Sequence, residues 1–325
     1  MSKSPKRVII CGLYWSGSSA AFDLLKEYKE EVVPVSGGAL DFEPEGGLRL
    51  IGEFEMFRSP GMIADALLGN DEYFRRGEAQ ANIKNQILSF RFKTMMFLRK
   101  VRKVSDFKTA LAVSKQVIRT KTSLIQLLDR MEKMPSLSDR MKASQEWLEL
   151  VEEIVGAKGK KAIILDQAIH LGQHFDVWPE FFGDFKIIIV YRDPRDMLVE
   201  QEKYKWLYRK QVSSNDICLY GESLEDIVRF RTDTMRARMN HMDDIKSKVP
   251  SDKLLVLKFE DLVQDYDHIK PKIESFIGLD PSDHIEPKKY FDPAKSAKNI
   301  GVYKNSKLEI PSDTLADLMD WYHKQ

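Results

Sequence analysis

The chain predicts an α/β fold of P-loop type, three layers deep, with a central parallel sheet and a large helical insertion. Three observations carry that reading. Short apolar runs of strand length recur at 8–11, 161–166, 186–191 and 253–258; continuous rather than alternating, they suit strands buried on both faces. The first run stops at Gly12, crosses Leu13-Tyr14-Trp15-Ser16-Gly17-Ser18-Ser19 and restarts with helical spacing through Leu25, which reads as strand, loop and helix. Between the first two of these runs, the stretch 62–156 is helical in pattern almost throughout.

Taken in order, the loop after the first strand has the spacing Gly-x-x-x-x-Gly-Ser-Ser. Gly12 and Gly17 let the backbone pass close to an anion, and Ser16, Ser18 and Ser19 add hydroxyl donors at the positive end of the next helix. Ser18 stands where a nucleotide triphosphatase of the Walker type carries its phosphate-reaching lysine. A glycine-containing turn without ligand is the alternative for the loop taken alone. A first helix is expected over about 17–28 and a second short strand at 31–35, which enters a glycine-rich loop running to about Gly52. Glu53 and Glu55 follow among Phe54, Phe57 and Arg58. They are candidates for a general base or for acceptors of sugar hydroxyls; solvated acids beside packed aromatics are the equal alternative.

The helical insertion, about 62–156, carries apolar stripes at Leu88, Phe92, Met95 and Met96, and at Leu124, Leu127, Leu128 and Met131. From Arg91 to Lys121 it is densely basic, opposed only by Asp106. Such a face suits an anionic glycan or the headgroups of an anionic membrane; a solvated helix face is the alternative. The sheet pattern resumes at Ala162-Ile163-Ile164-Leu165, followed by a loop bearing His170 and His174. In open parallel sheets ligands gather at the carboxyl ends of strands, where His170 falls. The run Ile187-Ile188-Ile189-Val190 is the clearest core strand, and Arg192 stands at its end; Asp193 suits a helix cap and Pro194 the first turn of a helix through about Trp206. A charged amphipathic helix over about 224–249, a strand at 253–258, a helix from Phe259 to about Gly278, a loop over 296–305 and a last helix after Pro311 complete the chain.

With 325 residues, the chain could form one large domain or two ordinary ones; the economical reading is a single α/β domain over 1–325. The balance of 51 Lys and Arg against 50 Asp and Glu gives no global pull toward nucleic acid. Two cysteines, Cys11 and Cys218, fit a reducing compartment and make no metal cluster, so no metal is expected. No apolar run reaches transmembrane length, and a first strand starting near Arg7 leaves no room ahead of it for a signal peptide, so a cytoplasmic location is expected.

Four segments in order resemble the sulfotransferases that use 3′-phosphoadenosine 5′-phosphosulfate (PAPS), in a bacterial or carbohydrate-type member. These are Ser16-Gly17-Ser18-Ser19; Tyr191-Arg192-Asp193-Pro194-Arg195-Asp196; Lys258-Phe259-Glu260-Asp261-Leu262 running into Phe276-Ile277-Gly278-Leu279; and Gly301-Val302-Tyr303-Lys304-Asn305. The resemblance implies PAPS as donor, with Gly12, Trp15, Ser16, Gly17, Ser18 and Ser19 at its 5′-phosphosulfate. It implies Arg192, the position of Glu200, Lys298 and Gly301 around its 3′-phosphate. It further implies in-line transfer to a hydroxyl with His170 as general base, a role imidazole suits because its pKa is about 6.5. His174 stands behind it, then Glu53 or Glu55, since some glycan-modifying relatives use an early glutamate. A glycan or lipid-linked sugar is the acceptor expected from the basic insertion. The chain departs from the family pattern at Trp15, where a lysine or arginine is usual, at Ala168, where a second lysine is usual, at Glu200, where a serine pairs with the arginine, and at Ser296-Ala297-Lys298, where cytosolic members have Arg-Lys-Gly and only Lys298, with Lys295 nearby, keeps positive charge. A catalytically impaired nucleotide-binding protein of the same fold, or a P-loop kinase-like transferase, are the alternatives.

Overall fold

The computed structural model describes residues 5–13, 15–28, 30–35, 136–166, 181–204, 207 and 223–325, with scattered residues between 119 and 134 and the backbone of 209–212 and 215–218. Five strands form a parallel sheet. Its elements follow the apolar runs: β1 (Lys6–Gly12), α1 (Ser18–Lys26), β2 (Val32–Val35), α2 (Leu137–Ile154), β3 (Ala162–Asp166) and β4 (Phe185–Tyr191). Then come α3 (Pro194–Lys203), a hairpin of β5 (Arg209–Val212) and β6 (Asn215–Cys218), α4 (Leu224–Lys248) and β7 (Leu254–Lys258). Helices α5 (Phe259–Gln264), α6 (Tyr266–Ile277) and α7 (Ser312–Lys324) close the chain.

The sheet order is β2-β3-β1-β4-β7. Val32 to Val35 face Ala162 to Leu165, and Ile187 to Tyr191 face Leu254 to Lys258, both in parallel register. Val8 to Cys11, Ile163 to Leu165 and Ile187 to Val190 are completely buried, the condition that makes a parallel strand read as an unbroken apolar run. The chain leaves β1 toward β2 and β3 on one side and reaches β4 on the other. The carboxyl ends of β1 and β4 therefore flank a point where strand order reverses, the usual ligand position in open α/β sheets.

Two compact units partition the chain: residues 1–9 with 29–185, and residues 10–28 with 186–325. In the first, α2 starts at Ser136, whose hydroxyl accepts from Asp139 N at 3.1 Å, a standard N-cap. It buries Trp147, Leu148 and Val151, and the Trp147 indole donates to Ser123 Oγ at 3.0 Å. Leu127 and Met131, expected on a helical stripe, are helical and buried; residues 62–118, with most of the basic run, lie outside the described residues. Arg7 pairs with the buried Glu152 at 2.5 Å; burial pushes that carboxyl above its ordinary range while Arg7 pulls it back.

In the second unit the far end of α1 is anchored by Glu27, fully buried just past the last turn. Its carboxylate accepts from Tyr290 N at 2.9 Å, Phe291 N at 3.0 Å and Lys288 N at 3.1 Å, and lies 2.5 Å from His284 Nε2. The His284 ring stacks on Tyr28 at 4.7 Å, and Tyr28 donates to Glu274 at 2.5 Å. A buried carboxylate survives because every lone-pair direction finds a donor. Helix α1 is thus fixed at one end by polar contacts and along its side by Ala21, Phe22, Leu24 and Leu25.

Three local features differ from the expectation. The helix from Phe259 is split at Asp265 (φ −121°, ψ 39°), which caps α6. The loop over 296–305 contains two 3-10 turns, Ala297–Asn299 and Val302–Asn305. The hairpin β5–β6, paired antiparallel from Arg209↔Cys218 to Val212↔Asn215, occupies a stretch with no strand signal.

Candidate active site

Between β1 and α1 the backbone makes a turn that its glycines dictate. A Cβ on Gly12 would fall on Ser16 Oγ and on the Val190 carbonyl, and one on Gly17 inside the Phe259 ring. Gly17 also caps α1 in the left-handed region (φ 83°), where glycine alone sits without cost. Trp15 adopts the same region (φ 71°) although a side chain there costs about 1–2 kcal/mol. Two contacts hold it: its carbonyl accepts from Arg192 Nη1 at 3.3 Å, and its ring stacks on Tyr204 at 4.9 Å and 14°.

The turn leaves donors inside. Ser16 is fully buried, its N–H satisfied by the Leu13 carbonyl at 2.9 Å, yet its hydroxyl has no hydrogen-bond partner among the described residues. Among the described residues no side chain caps α1, and no acidic residue stands in its first turn, so the helix presents its positive end. An orphaned buried hydroxyl at an uncapped helix start is the arrangement an anion would complete.

Arg192 leaves the end of β4 with 5% exposure. Its Nη2 donates to the Asn299 carbonyl and lies 3.9 Å from Asp196 Oδ2; its guanidinium sits 5.2 Å from the centre of the Phe259 ring, the ring that also closes on Gly17. Nε is buried and without a partner among the described residues. Burial pulls the Arg192 pKa below the ordinary arginine value, against the raising influence of Asp196, Glu200, Glu260 and Asp193. Asp193 caps α3, accepting from Arg195 N at 2.9 Å, with Pro194 in the first turn, as the sequence predicts. Its own N–H donates to Glu260 at 3.0 Å, a carboxyl that burial pushes up.

Of the other expected site residues, Ser18 is buried at the first position of α1 and Ser19 is exposed. Glu200 is buried, with Lys203 Nζ 3.4 Å from its carboxylate, a cation beside the acid expected to repel phosphate. Gly301 (φ 72°) opens the turn Val302–Asn305 and donates to Asp196 at 2.7 Å. Lys298 is exposed on the turn Ala297–Asn299. Gly12, Trp15, Ser16, Gly17, Arg192, Glu200 and Gly301 are thereby linked through direct contacts or shared partners. His170, Glu53 and Glu55, with His174 and Ala168, lie outside the described residues. Asp196, Asn299 and Phe259, which sequence reasoning left without a role, hold Arg192 in place. Among the described residues no group of His, Cys, Asp or Glu is arranged to hold a metal ion, and no helix is long and apolar enough to cross a membrane.

A family model described as "Sulfotransferase family" matches residues 7–283. Among solved structures, the chain is similar to the sulfotransferase domain of the Synechococcus PCC 7002 olefin synthase, at 14% identity and TM-score 0.47, covering 98% of this chain and 95% of that one. It is similar to sulfotransferase STF1 from Mycobacterium tuberculosis H37Rv at 13% identity and TM-score 0.42, covering 93% and 78%. A third, the sulfotransferase domain from the curacin biosynthetic pathway, gives 12% identity, TM-score 0.44 and coverage of 98% and 99%. No curated protein matches the chain.

Proposed function

Because the chain belongs to the sulfotransferase family, we propose that it transfers a sulfuryl group from PAPS to a hydroxyl of a glycan or lipid-linked sugar. The observation that supports the donor assignment is a pair of buried groups without a partner among the described residues, Ser16 Oγ and Arg192 Nε, on residues joined through the Trp15 carbonyl that Arg192 Nη1 holds. Two such groups suit a ligand with two anionic ends. PAPS supplies the sulfuryl group and leaves as adenosine 3′,5′-bisphosphate. The Ser16 hydroxyl and the first N–H groups of α1 would hold the 5′ end, and Arg192 the 3′-phosphate. Lys203, beside Glu200, offsets the carboxylate that otherwise opposes the second anion.

With Trp15 at the position where relatives carry a cation, charge growing on the leaving phosphate would be met by the Ser16 hydroxyl, backbone N–H groups and the α1 dipole. His170, after β3, would take the proton of the acceptor hydroxyl. The acceptor class follows from the basic run between Arg91 and Lys121, which also favours contact with an anionic membrane surface; the cytoplasm is the proposed location. The second reading, a donor-binding protein impaired in transfer, is favoured by one observation: the Trp15 ring is stacked on Tyr204 and supplies no charge.

Radiolabelled PAPS tests the proposal. Transfer of label to a saccharide or, without acceptor, slow release of labelled sulfate is expected. His170→Ala lowers kcat about 100-fold with the donor Kd unchanged, within the range for removing a general base. Unchanged turnover in His170→Ala together with loss in Glu53→Ala or Glu55→Ala moves the base to the glutamate. Binding of PAPS without any transfer supports the second reading.

A further inference from the structure

We propose that Asp196 is a positioning residue for donor binding: its carboxylate holds the Arg192 guanidinium and the turn at 301–303 in one fixed arrangement. Asp196 has 1% exposure and both its oxygens are used. Oδ2 accepts from Gly301 N at 2.7 Å and Oδ1 from Tyr303 N at 3.0 Å, while Arg192 Nη2 stands 3.9 Å from Oδ2.

The turn needs this outside support. It begins at Gly301 in the left-handed region and has no side-chain cap of its own, so two of its N–H groups depend on a carboxylate more than one hundred positions earlier in the chain, 105 for Gly301. The same segment returns a contact to Arg192, since the Asn299 carbonyl accepts from Nη2. Asp196, Arg192 and the residues 299–303 therefore form a closed ring of contacts. The neighbouring Arg195 adds a second fastening: its guanidinium lies 3.9 Å over the Tyr303 ring while it pairs with Asp193 at 2.5 Å. Within that ring Arg192 is aimed from several sides, so a bound 3′-phosphate meets a guanidinium whose orientation is set beforehand. An amide at position 196 turns one acceptor into a donor facing an N–H and a cation, which breaks the ring without changing its size.

The proposal rests on the donor reading, in which Arg192 meets the 3′-phosphate. The test titrates wild type and Asp196→Asn with adenosine 3′,5′-bisphosphate and with adenosine 5′-phosphate. Wild type binds the bisphosphate more tightly; in Asp196→Asn that preference shrinks about tenfold while the affinity for adenosine 5′-phosphate stays within about twofold. Should Asp196→Asn fail to fold, Arg195→Gln, on a partly exposed side chain, loosens the same turn and narrows the preference about threefold. Variants that keep the wild-type preference, or lose both affinities equally, overturn the positioning role alone. A wild type that binds neither nucleotide, or both equally, overturns the donor reading and this role with it.

Discussion

Arg192→Ala weakens binding of adenosine 3′,5′-bisphosphate about 100-fold, roughly the 3 kcal/mol that a charge-assisted contact to an anion is worth in a buried setting. The loss has two parts. The guanidinium that would face the phosphate is gone, and so are the donors that fix the Trp15 and Asn299 carbonyls, leaving both walls of the site less ordered. Arg192→Lys keeps the charge but is a single point of donors that cannot span two carbonyls on opposite sides; it recovers about tenfold of the loss. Calorimetric titration checks both variants, with thermal unfolding alongside, because the buried Asp196 loses its cationic neighbour in the alanine variant. A loss below about threefold in Arg192→Ala would place the arginine outside the donor site.

Gly12→Ala has the second large effect, on fold and site together. The added methyl would land on the Val190 carbonyl, part of strand β4, which cannot swing aside as a side chain can. The same methyl lands on Ser16 Oγ, so the relief available is for the turn to lift, carrying away the hydroxyl proposed to hold the 5′ end of the donor. Overpacking of this kind costs about 3 kcal/mol, and the midpoint of thermal unfolding falls by about 5 °C. Donor binding is lost at about 1 mM nucleotide, a drop of several kcal/mol from micromolar affinity. Gly156→Ala is the control: Gly156, unlike Gly12, is left-handed (φ 76°), and a Cβ there meets nothing within reach among the described residues, so only the backbone cost of about 1 kcal/mol applies and nucleotide binding is unaffected. Equal destabilisation in the two variants would mean that the close approach at Gly12 carries no weight.

Reading the chain as a sequence reaches the groups whose signal is local. Ile187 to Val190 announce a strand because complete burial on both faces demands an unbroken apolar run. Arg192, Asp193 and Pro194 announce a strand end and a capped helix because capping chemistry acts over one to three residues. Polar groups that meet across the chain leave no such trace. Nothing in the neighbourhood of Asp196 points to Gly301, and nothing near Glu27 points to the N–H groups of Lys288, Tyr290 and Phe291. The hairpin β5–β6 escapes for a different reason: Arg209-Lys210-Gln211-Val212 has no apolar alternation, the one signal by which strands are recognised. Glu200 shows the intermediate case. Its conflict with a phosphate is visible from the motif, and its partner Lys203, three residues on, lies at a spacing that helix geometry brings together. Trp15 reads only as a missing cation in the sequence; the structure gives it a stacking partner, Tyr204, on the far end of α3.

In the proposed function, the turn from Gly12 to Ser19 and the arginine at the end of β4 form one site for two anionic groups. Calorimetric titration of the full chain with adenosine 3′,5′-bisphosphate and, separately, with adenosine 5′-phosphate tests it most directly. Saturable binding of the bisphosphate with a Kd of about 10 μM and at least about tenfold weaker binding of the monophosphate are expected. Equal affinities, or no heat from either nucleotide at about 1 mM, would contradict it.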